Sequence, residues 1–530
     1  FVTPYGAYLD LGTYGKTWYF DVTDFAPILK GLKRINMTSG GQWQEDMDIK
    51  FHFIVGTPPR DVVDIQQIWR PQSKGYTSIL NENSFEPRDV KLNPNAVSYK
   101  LRTVITGHGQ EGEFISRDHY LNINGGSIEY TWPVWTECGG NPIYPQGGTW
   151  IYDRAGWCPG QASDLREDDI TSLVTPGQTH NIDYGVTNAS GTSNYWVSSQ
   201  LVSYKAPNHN LDASVVDIIS PTDKVKYSRI NPTCGKPKII IKNTGSTNLT
   251  SLKIEYWVNG STAKEVQIWN GNLDFEEDET VELDAPTTIW DNLLSSNKFY
   301  VEISEPNQST DENIYNNYIN STFEPTPSYD NVFALWMQTN SGSIGLNQSE
   351  TSWKIFDRDN NLTYESAGGG NLMINSQYRD TLIFDDGCYS FIMTDTDDDG
   401  IDFWANNDGA GMARFREIGA SWLKVFEGDF GSFIHHEFQV NNSTSYIQED
   451  IDTWSFYPNP AKNQVTISGV SNGITDLILL DSLGKQLKKI TFDINGEFKK
   501  KLDLSYLKDG VYMLKVITNS EEILKKVVKI

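Results

Sequence analysis

Residues 99–124 read Tyr99-Lys-Leu-Arg-Thr-Val-Ile-Thr-Gly-His-Gly-Gln-Glu-Gly-Glu-Phe-Ile-Ser-Arg-Asp-His-Tyr-Leu-Asn-Ile-Asn124. Tyr99 to Thr106 and Arg117 to Asn124 are short runs rich in β-branched and aromatic residues, and the glycine-rich stretch Gly107 to Glu113 separates them. Such runs bounded by turn residues predict strands. The same signal recurs at Tyr195 to Tyr204, Lys238 to Gly245 and Leu252 to Gly260. Long segments of helical period are few. With 16 Trp, 26 Tyr, 23 Phe and 43 Gly, the pattern predicts an all-β chain of tandem jelly-roll and β-sandwich domains.

The 530 residues carry 43 Lys and Arg against 69 Asp and Glu, a formal charge of −26. So acidic a chain excludes the cationic face that nucleic-acid binding requires. No run approaches the roughly 18 apolar residues of a spanning helix, so no transmembrane segment is expected. Phe1 opens a strand-like stretch rather than a targeting segment, and the natural start is expected to lie upstream. Residues 452–530 hold 12 Lys and Arg against 9 Asp and Glu, leaving 31 against 60 elsewhere. By charge alone the tail is a separate unit. Four cysteines in an Asn/Ser/Thr-rich acidic chain suit an oxidising exterior.

Strand candidates at Phe1 to Thr3, Thr17 to Val22, Leu32 to Met37 and Ile49 to Val55 make residues 1–59 about half of an eight-stranded jelly roll. Asp21-Val-Thr-Asp24 reads as a turn or a short helix start. Residues 60–206 form a second jelly roll, interrupted by a turn-rich aromatic stretch from Trp132 to Gly160. A linker at Ala206 to Asn210 leads to a sandwich over 211–325, in which Glu276 to Glu279 reads as a solvated turn. A further sandwich spans 328–441, and a small one spans 452–530.

Three local patterns suggest chemistry. Asp395-Thr-Asp397-Asp-Asp399-Gly400-Ile-Asp402 places carboxylates at positions one, three and five with glycine at six, as hard-cation turns do, and Asp402 offers one more ligand. Ala405 and Asn406 stand where an EF-hand would place its bidentate acid, so calcium is expected here without that motif. Cys138 and Cys158 flank a Gly/Pro-rich loop, and a bridge across it would remove disorder worth about 3 kcal/mol, which predicts the disulfide. Cys234 and Cys388 lie in different blocks, where buried free thiols are the default and their pairing stays open. His108, Glu113, Arg117 and His119 surround the glycine-rich turn and offer acid–base groups beside a cation. Copper is disfavoured, because no His-x-His pair occurs there and His435-His436 lies in another block.

The first 206 residues resemble the bacterial peptide-N-glycosidase F family. The likeness rests on Phe1-Val-Thr-Pro-Tyr5, Asp21-Val-Thr-Asp-Phe25, Gly56-Thr-Pro58, Leu101-Arg-Thr103, Arg117 with His119, Asn122 to Asn124, and above all Asp153-Arg-Ala-Gly-Trp-Cys-Pro-Gly160. It implies paired eight-stranded jelly rolls that cleave the amide between an N-glycan and asparagine without a cofactor. It also implies Glu113 and Arg154 as catalytic residues, Trp157, His108 and Arg117 near substrate, and a Cys138–Cys158 bridge. The family's principal aspartate lies upstream of Phe1. A second family carboxylate aligns at Thr38, Glu111 and Ile115 replace cysteines, and His108 replaces a tryptophan.

Residues 454–530 resemble a type IX secretion sorting domain through Tyr457-Pro-Asn-Pro-Ala461, Leu480-Asp-Ser-Leu-Gly-Lys485 and Leu507 to Val516. Residues 214–323 resemble adhesion-type sandwiches, and 332–440 resemble accessory domains of exported proteins. The expected protein is a secreted or surface-attached hydrolase of N-linked glycoproteins, handled by the type IX secretion machinery. The alternative is a non-catalytic glycan- or protein-binding protein whose later sandwiches act as spacers. A copper monooxygenase-like protein is the lesser alternative, since the histidine and methionine ligands of that related fold are not apparent.

Overall fold

The computed structural model describes residues 9, 11–12, 15–36, 47–126, 128–189, 191–261, 263–291, 293–366, 372–441, 454–481, 485–518 and 522–529. The chain divides into two compact units, residues 1–441 and 442–530.

The eight strands that position the site are β1 (Arg60–Gly75), β2 (Arg88–Lys91), β3 (Ser98–His108), β4 (Arg117–Ile123), β5 (Ile128–Val134), β6 (Leu165–Asp169), β7 (Thr179–Val186) and β8 (Asn194–Pro207). They form two antiparallel four-stranded sheets, ordered β1-β8-β3-β6 and β2-β7-β4-β5. Alternation along the strands sends Tyr99, Leu101 and Ile105 of β3 and Leu121 and Ile123 of β4 inward. They meet Trp69, Phe85, Ile182, Tyr184, Tyr195 and Leu201 in one buried core. Each such side chain contributes about 1.5–3 kcal/mol on burial, so the core fixes the register of both sheets.

The expected strands Thr17 to Val22, Leu32 to Met37 and Ile49 to Val55 are not strands among their described residues; Phe1 to Thr3, Met37 and Thr38 lie outside the described residues. The apolar pattern was misleading because Leu32, Phe53 and Ile54 are exposed, and a strand without a ladder partner and a packed face does not persist. The Asp21 turn is present: Asp21 Oδ1 accepts the Thr23 N–H at 2.8 Å and a 3-10 turn spans Thr23–Phe25. Asp24 then pairs with Arg102 at 2.6 Å and accepts the Tyr204 hydroxyl at 2.8 Å. These bonds anchor the first block to the β1-β8-β3-β6 sheet.

The next sandwich packs a three-stranded sheet centred on Lys238–Asn243 against a four-stranded sheet containing Leu249–Val258. The fourth block packs a five-stranded sheet containing Gly387–Asp395 against a four-stranded one containing Val332–Gln338. The spacer expectation for these blocks is corrected, because both dock on the jelly roll. Arg60 pairs with Glu276 at 2.7 Å and stacks on Tyr204 at 3.6 Å, so Glu276 is an anchor, while Glu277, Asp278 and Glu279 of the same segment are exposed as expected. The Trp150 indole N–H meets both carboxylate oxygens of Asp429 at 3.0 Å, and the Trp404 indole donates to the Gly148 carbonyl at 2.9 Å. Arg229 donates to the carbonyls of Gly139 and Asn141 on one side and of Phe430 and Phe433 on the other.

Cys138 and Cys158 are bridged, with Cα atoms 5.6 Å apart. Cys234 and Cys388 are also bridged, which corrects the free-thiol default. The reason is docking: Glu437, beside Cys388 in the same sheet, accepts the Cys234 and Gly235 N–H groups at 2.9 and 3.0 Å and so brings the two sandwiches into contact.

In the second unit, long antiparallel strands Gln464–Leu480 and Gln486–Asp503 pair with each other, and Trp454–Tyr457 and Gly510–Ile517 flank the first. Val465, Ile467, Leu477, Leu479, Leu514 and Val516 form its core. No helix of the described residues is long and apolar enough to cross a membrane.

Candidate active site

β3 ends at Gly107-His108-Gly109, and the chain turns at Gly109 (φ +76°) into the single helical turn Gln110–Phe114 that carries Glu113. A side chain at Gly107 is sterically barred: a Cβ there would lie 1.9 Å from the Gly112 carbonyl oxygen and 2.6 Å from the Ala155 Cβ. That close approach lets the Asp153–Gly160 segment lace against the turn. The Gly107 N–H donates to the Ala155 carbonyl at 2.8 Å, the Ala155 N–H to the Glu113 carbonyl at 3.0 Å, and Thr136 and Arg154 exchange both backbone bonds.

Glu113 and Arg154 therefore converge, with Arg154 Nε 2.9 Å from Glu113 Oε1. Arg154 is 4% exposed. Its remaining N–H groups donate to the carbonyls of Trp150, Tyr152 and Thr149 and to the Thr149 hydroxyl. All five guanidinium N–H groups thus have acceptors, and the group is flanked by the Phe114 and Trp157 rings, each 5.1 Å away. Burial lowers its pKa and Glu113 opposes that shift. In this arrangement Arg154 holds Glu113 and the Thr149–Tyr152 loop.

Beside this pair lies a cleft of about 620 Å³ walled by Gln110, Phe114, Trp135, Thr149, Ile151, Tyr152, Asp153, Asp397 and Asp398. Thr149 and Tyr152 are the residues Arg154 grips, and Gln110 and Phe114 share the helical turn with Glu113. Asp397 and Asp398 come from the acidic loop of the fourth block, so two sandwiches build the cleft.

The other expected site residues divide. Trp157 is buried, donates its indole N–H to the Gly107 carbonyl at 3.0 Å and packs 5.6 Å from the His108 ring, so it serves packing rather than an open sugar platform. His108 also pairs with Thr106 at 2.9 Å. Arg117 faces Glu111 at 3.9 Å, a partner that the resemblance gives as cysteine. His119 is wholly buried against Tyr184 and Tyr195, bonded to the Tyr184 hydroxyl at 2.8 Å. Burial pushes its pKa down to about 3, and it is a core residue rather than an acid–base group.

Among the described residues, two groups of three or more metal-ligating side chains occur, and neither contains histidine. In one, Cys234 and Cys388 are bonded to each other. The other gathers carboxylates of Glu350, Asp395 and Asp399, one oxygen of each within 4.8 Å of the others. Of the expected Asp395, Asp397, Asp399 and Asp402, Asp395 and Asp399 belong to this group. Asp397 and Asp402 are exposed and outside the group. The left-handed turns at Asp398 (φ +62°) and Gly400 (φ +77°) coil the loop so that Asp395 and Asp399 are buried while Asp397 and Asp398 border the cleft. Glu350 escaped the sequence reading, since a single acid among polar residues 45 positions upstream of Asp395 carries no spacing signal. Burial, then the neighbouring carboxylates, push the pKa of Asp395 up to about 8 and that of Glu350 to about 7; burial leads for Asp399, raised to about 6 against the Asn406 bond.

Residues 75–202 match the family described as Peptide-N-glycosidase F, C terminal, and residues 455–530 match the Secretion system C-terminal sorting domain. A curated relative, the peptide-N(4)-(N-acetyl-beta-D-glucosaminyl)asparagine amidase F of Elizabethkingia miricola, is 29% identical over 210 residues, covering 35% of this chain and 56% of the relative. The chain thus spans about half the length of that relative. A solved PNGase F, described as a glycosylasparaginase from Flavobacterium meningosepticum, is 27% identical, with 27% of this chain and 51% of that chain covered and a TM-score of 0.23. A recombinant peptide: N-glycanase F is 28% identical with the same coverage and TM-score. The sorting domain marks the protein for type IX secretion to the cell surface or the extracellular space. The chain is therefore similar to the C-terminal domain of peptide-N-glycosidase F over residues 75–202 and to a secretion system C-terminal sorting domain over 455–530.

Proposed function

We propose that the exported protein hydrolyses the amide joining an N-linked glycan to asparagine in glycoproteins. The observation that carries this reading is the ion pair of Glu113 with Arg154 beside the cleft, inside the stretch that matches the family. Glu113 has one carboxylate oxygen held by the Arg154 Nε–H, which leaves the other to accept from a sugar hydroxyl or the scissile amide. Arg154 acts as a positioning residue, fixing that carboxylate and the loop at once. Trp135, Phe114 and Tyr152 supply aromatic surface for a sugar, and Asp153 adds a polar group at the same wall. The amide chemistry uses no cofactor, and calcium has a structural place in the acidic loop rather than a chemical one.

The second reading, a non-catalytic protein that binds glycans or proteins at the surface, draws on the complete internal engagement of Arg154. Fluorescent glycan released from a denatured glycoprotein separates the two. Release by the full chain that is lost in Glu113→Gln carries the hydrolase; saturable binding with no release carries the binder.

A further inference from the structure

We propose that Glu350, Asp395 and Asp399 together hold one calcium ion, and that this ion fixes the acidic loop as a wall of the cleft beside Glu113. All three side chains are more than nine-tenths buried, at 4%, 4% and 7% exposure. Three carboxylates packed together without a cation repel one another in a medium that screens poorly. Two of their oxygens, Glu350 Oε1 and Asp399 Oδ1, are buried with no hydrogen-bond partner. A buried, unpartnered carboxylate oxygen is costly, and a cation is what would satisfy both.

The span agrees with one ion. Calcium–oxygen bonds are about 2.4 Å, so two oxygens on one calcium lie at most about 4.8 Å apart, and the three oxygens of this group all fall within that distance of one another. The donors are all hard oxygens, and the loop is irregular, which suits calcium's tolerance of uneven geometry better than magnesium's octahedron.

The same loop reaches the cleft. Asp395 Oδ1 accepts the N–H groups of Asp397 and Asp399 at 3.2 and 3.3 Å, so the carboxylate in the group also shapes the turn. Asp397 and Asp398, on the other side of that turn, line the cleft with Thr149, Tyr152 and Asp153. A cation pulling Asp395 and Asp399 toward Glu350 would therefore set where the Asp397–Asp398 wall stands.

The inference does not depend on amide hydrolysis, and its test uses none. The full chain, stripped with chelator, is dialysed against calcium chloride alone and then against magnesium chloride alone. One calcium per chain is expected in the wild type, none in Glu350→Gln, and one in Asp402→Asn. Glu350→Gln is near-isosteric and removes a repelling charge, so it should fold; Asp399→Asn provides a second loss variant. Hydrogen exchange reads the coupling. At calcium a hundred times its dissociation constant, local opening of the loop is suppressed about a hundredfold. Amides of 395–400 and 149–153 should both slow in the wild type and neither in Glu350→Gln. No calcium binding by the wild type, equal binding by Glu350→Gln, or a preference for magnesium would overturn the site. Calcium protection of 395–400 without change at 149–153 would overturn the link to the cleft.

Discussion

Replacing Arg154 by Gln separates a residue that touches substrate from one that organises the site. In the wild type the guanidinium pairs with Glu113 at 2.9 Å and satisfies three carbonyls and a hydroxyl from a position 4% exposed. A glutamine is too short to span these acceptors. Removing one member of a buried ion pair costs about 3–5 kcal/mol. The Glu113 side chain is 21% exposed and can recover some hydration, which places the loss near the lower end. About 3 kcal/mol corresponds to roughly a hundredfold in the local opening equilibrium. The readout is native-state hydrogen exchange of the Thr136, residue 154 and Ala155 amides, whose acceptors are the Arg154, Thr136 and Glu113 carbonyls. These should exchange about a hundredfold faster in Arg154→Gln. Glu113→Gln keeps an acceptor and loses only the charge, so about 1 kcal/mol, or roughly a fivefold change, is expected. Exchange within about fivefold of the wild type in Arg154→Gln, accompanied by loss of glycan release, would refute the positioning role and return Arg154 to direct contact with substrate.

Replacing Cys388 by Ser opens a loop of 154 residues, whose closure contributes about 5 kcal/mol in the chain-entropy model. Calorimetry should show the 211–441 transition falling and splitting, and an unchanged trace would count against the bridge. His119 is held neutral, with its pKa at about 3 against 6.5 when unfolded, so the stability it confers is complete above pH 6.5. It falls by about 1.4 kcal/mol per unit as the pH drops from 6.5 toward 3. His119→Phe should flatten the decline of the melting midpoint between pH 6.5 and 5, and an unaltered slope would show that His119 is not the titrating group. Gly107→Ala should cost about 3 kcal/mol by overpacking against Gly112 and Ala155. Gly191→Ala, with open space around it, should melt as the wild type does.

The strands of the jelly roll were readable where local chemistry and global packing agree. Tyr99 to Thr106 lies within β3, Arg117 to Ile123 became β4, and Tyr195 to Tyr204 lies within β8, because inward residues there meet a second sheet. Ile49 to Val55 has the same local pattern and no such partner among the described residues, so periodicity alone misled. Glu113 and Arg154 were legible through a motif, and their 2.9 Å approach follows from glycines that admit close backbone contact. Glu350 and the Cys234–Cys388 bridge were not legible. Both depend on partners 45 or more positions away, brought together by sheet packing that no short window of sequence expresses.

Arg229 lies 90 positions beyond Gly139 and 88 beyond Asn141, whose carbonyls it grips on one face, and 201 before Phe430 on the other. Its stack on Tyr144 at 3.6 Å closes the clamp. A chain cut after Pro207 would retain every jelly-roll strand yet leave the acceptors at Gly139 and Asn141 bare, together with the Trp150 indole that Asp429 caps. Insertions or deletions between Cys138 and Cys158 would shift those carbonyls out of reach of a neighbour that had not changed. The bridged loop is therefore shared property: what reads as a string of exchangeable modules must vary in concert, and a minimal chain trimmed to the family match would lose the support beneath its own cleft.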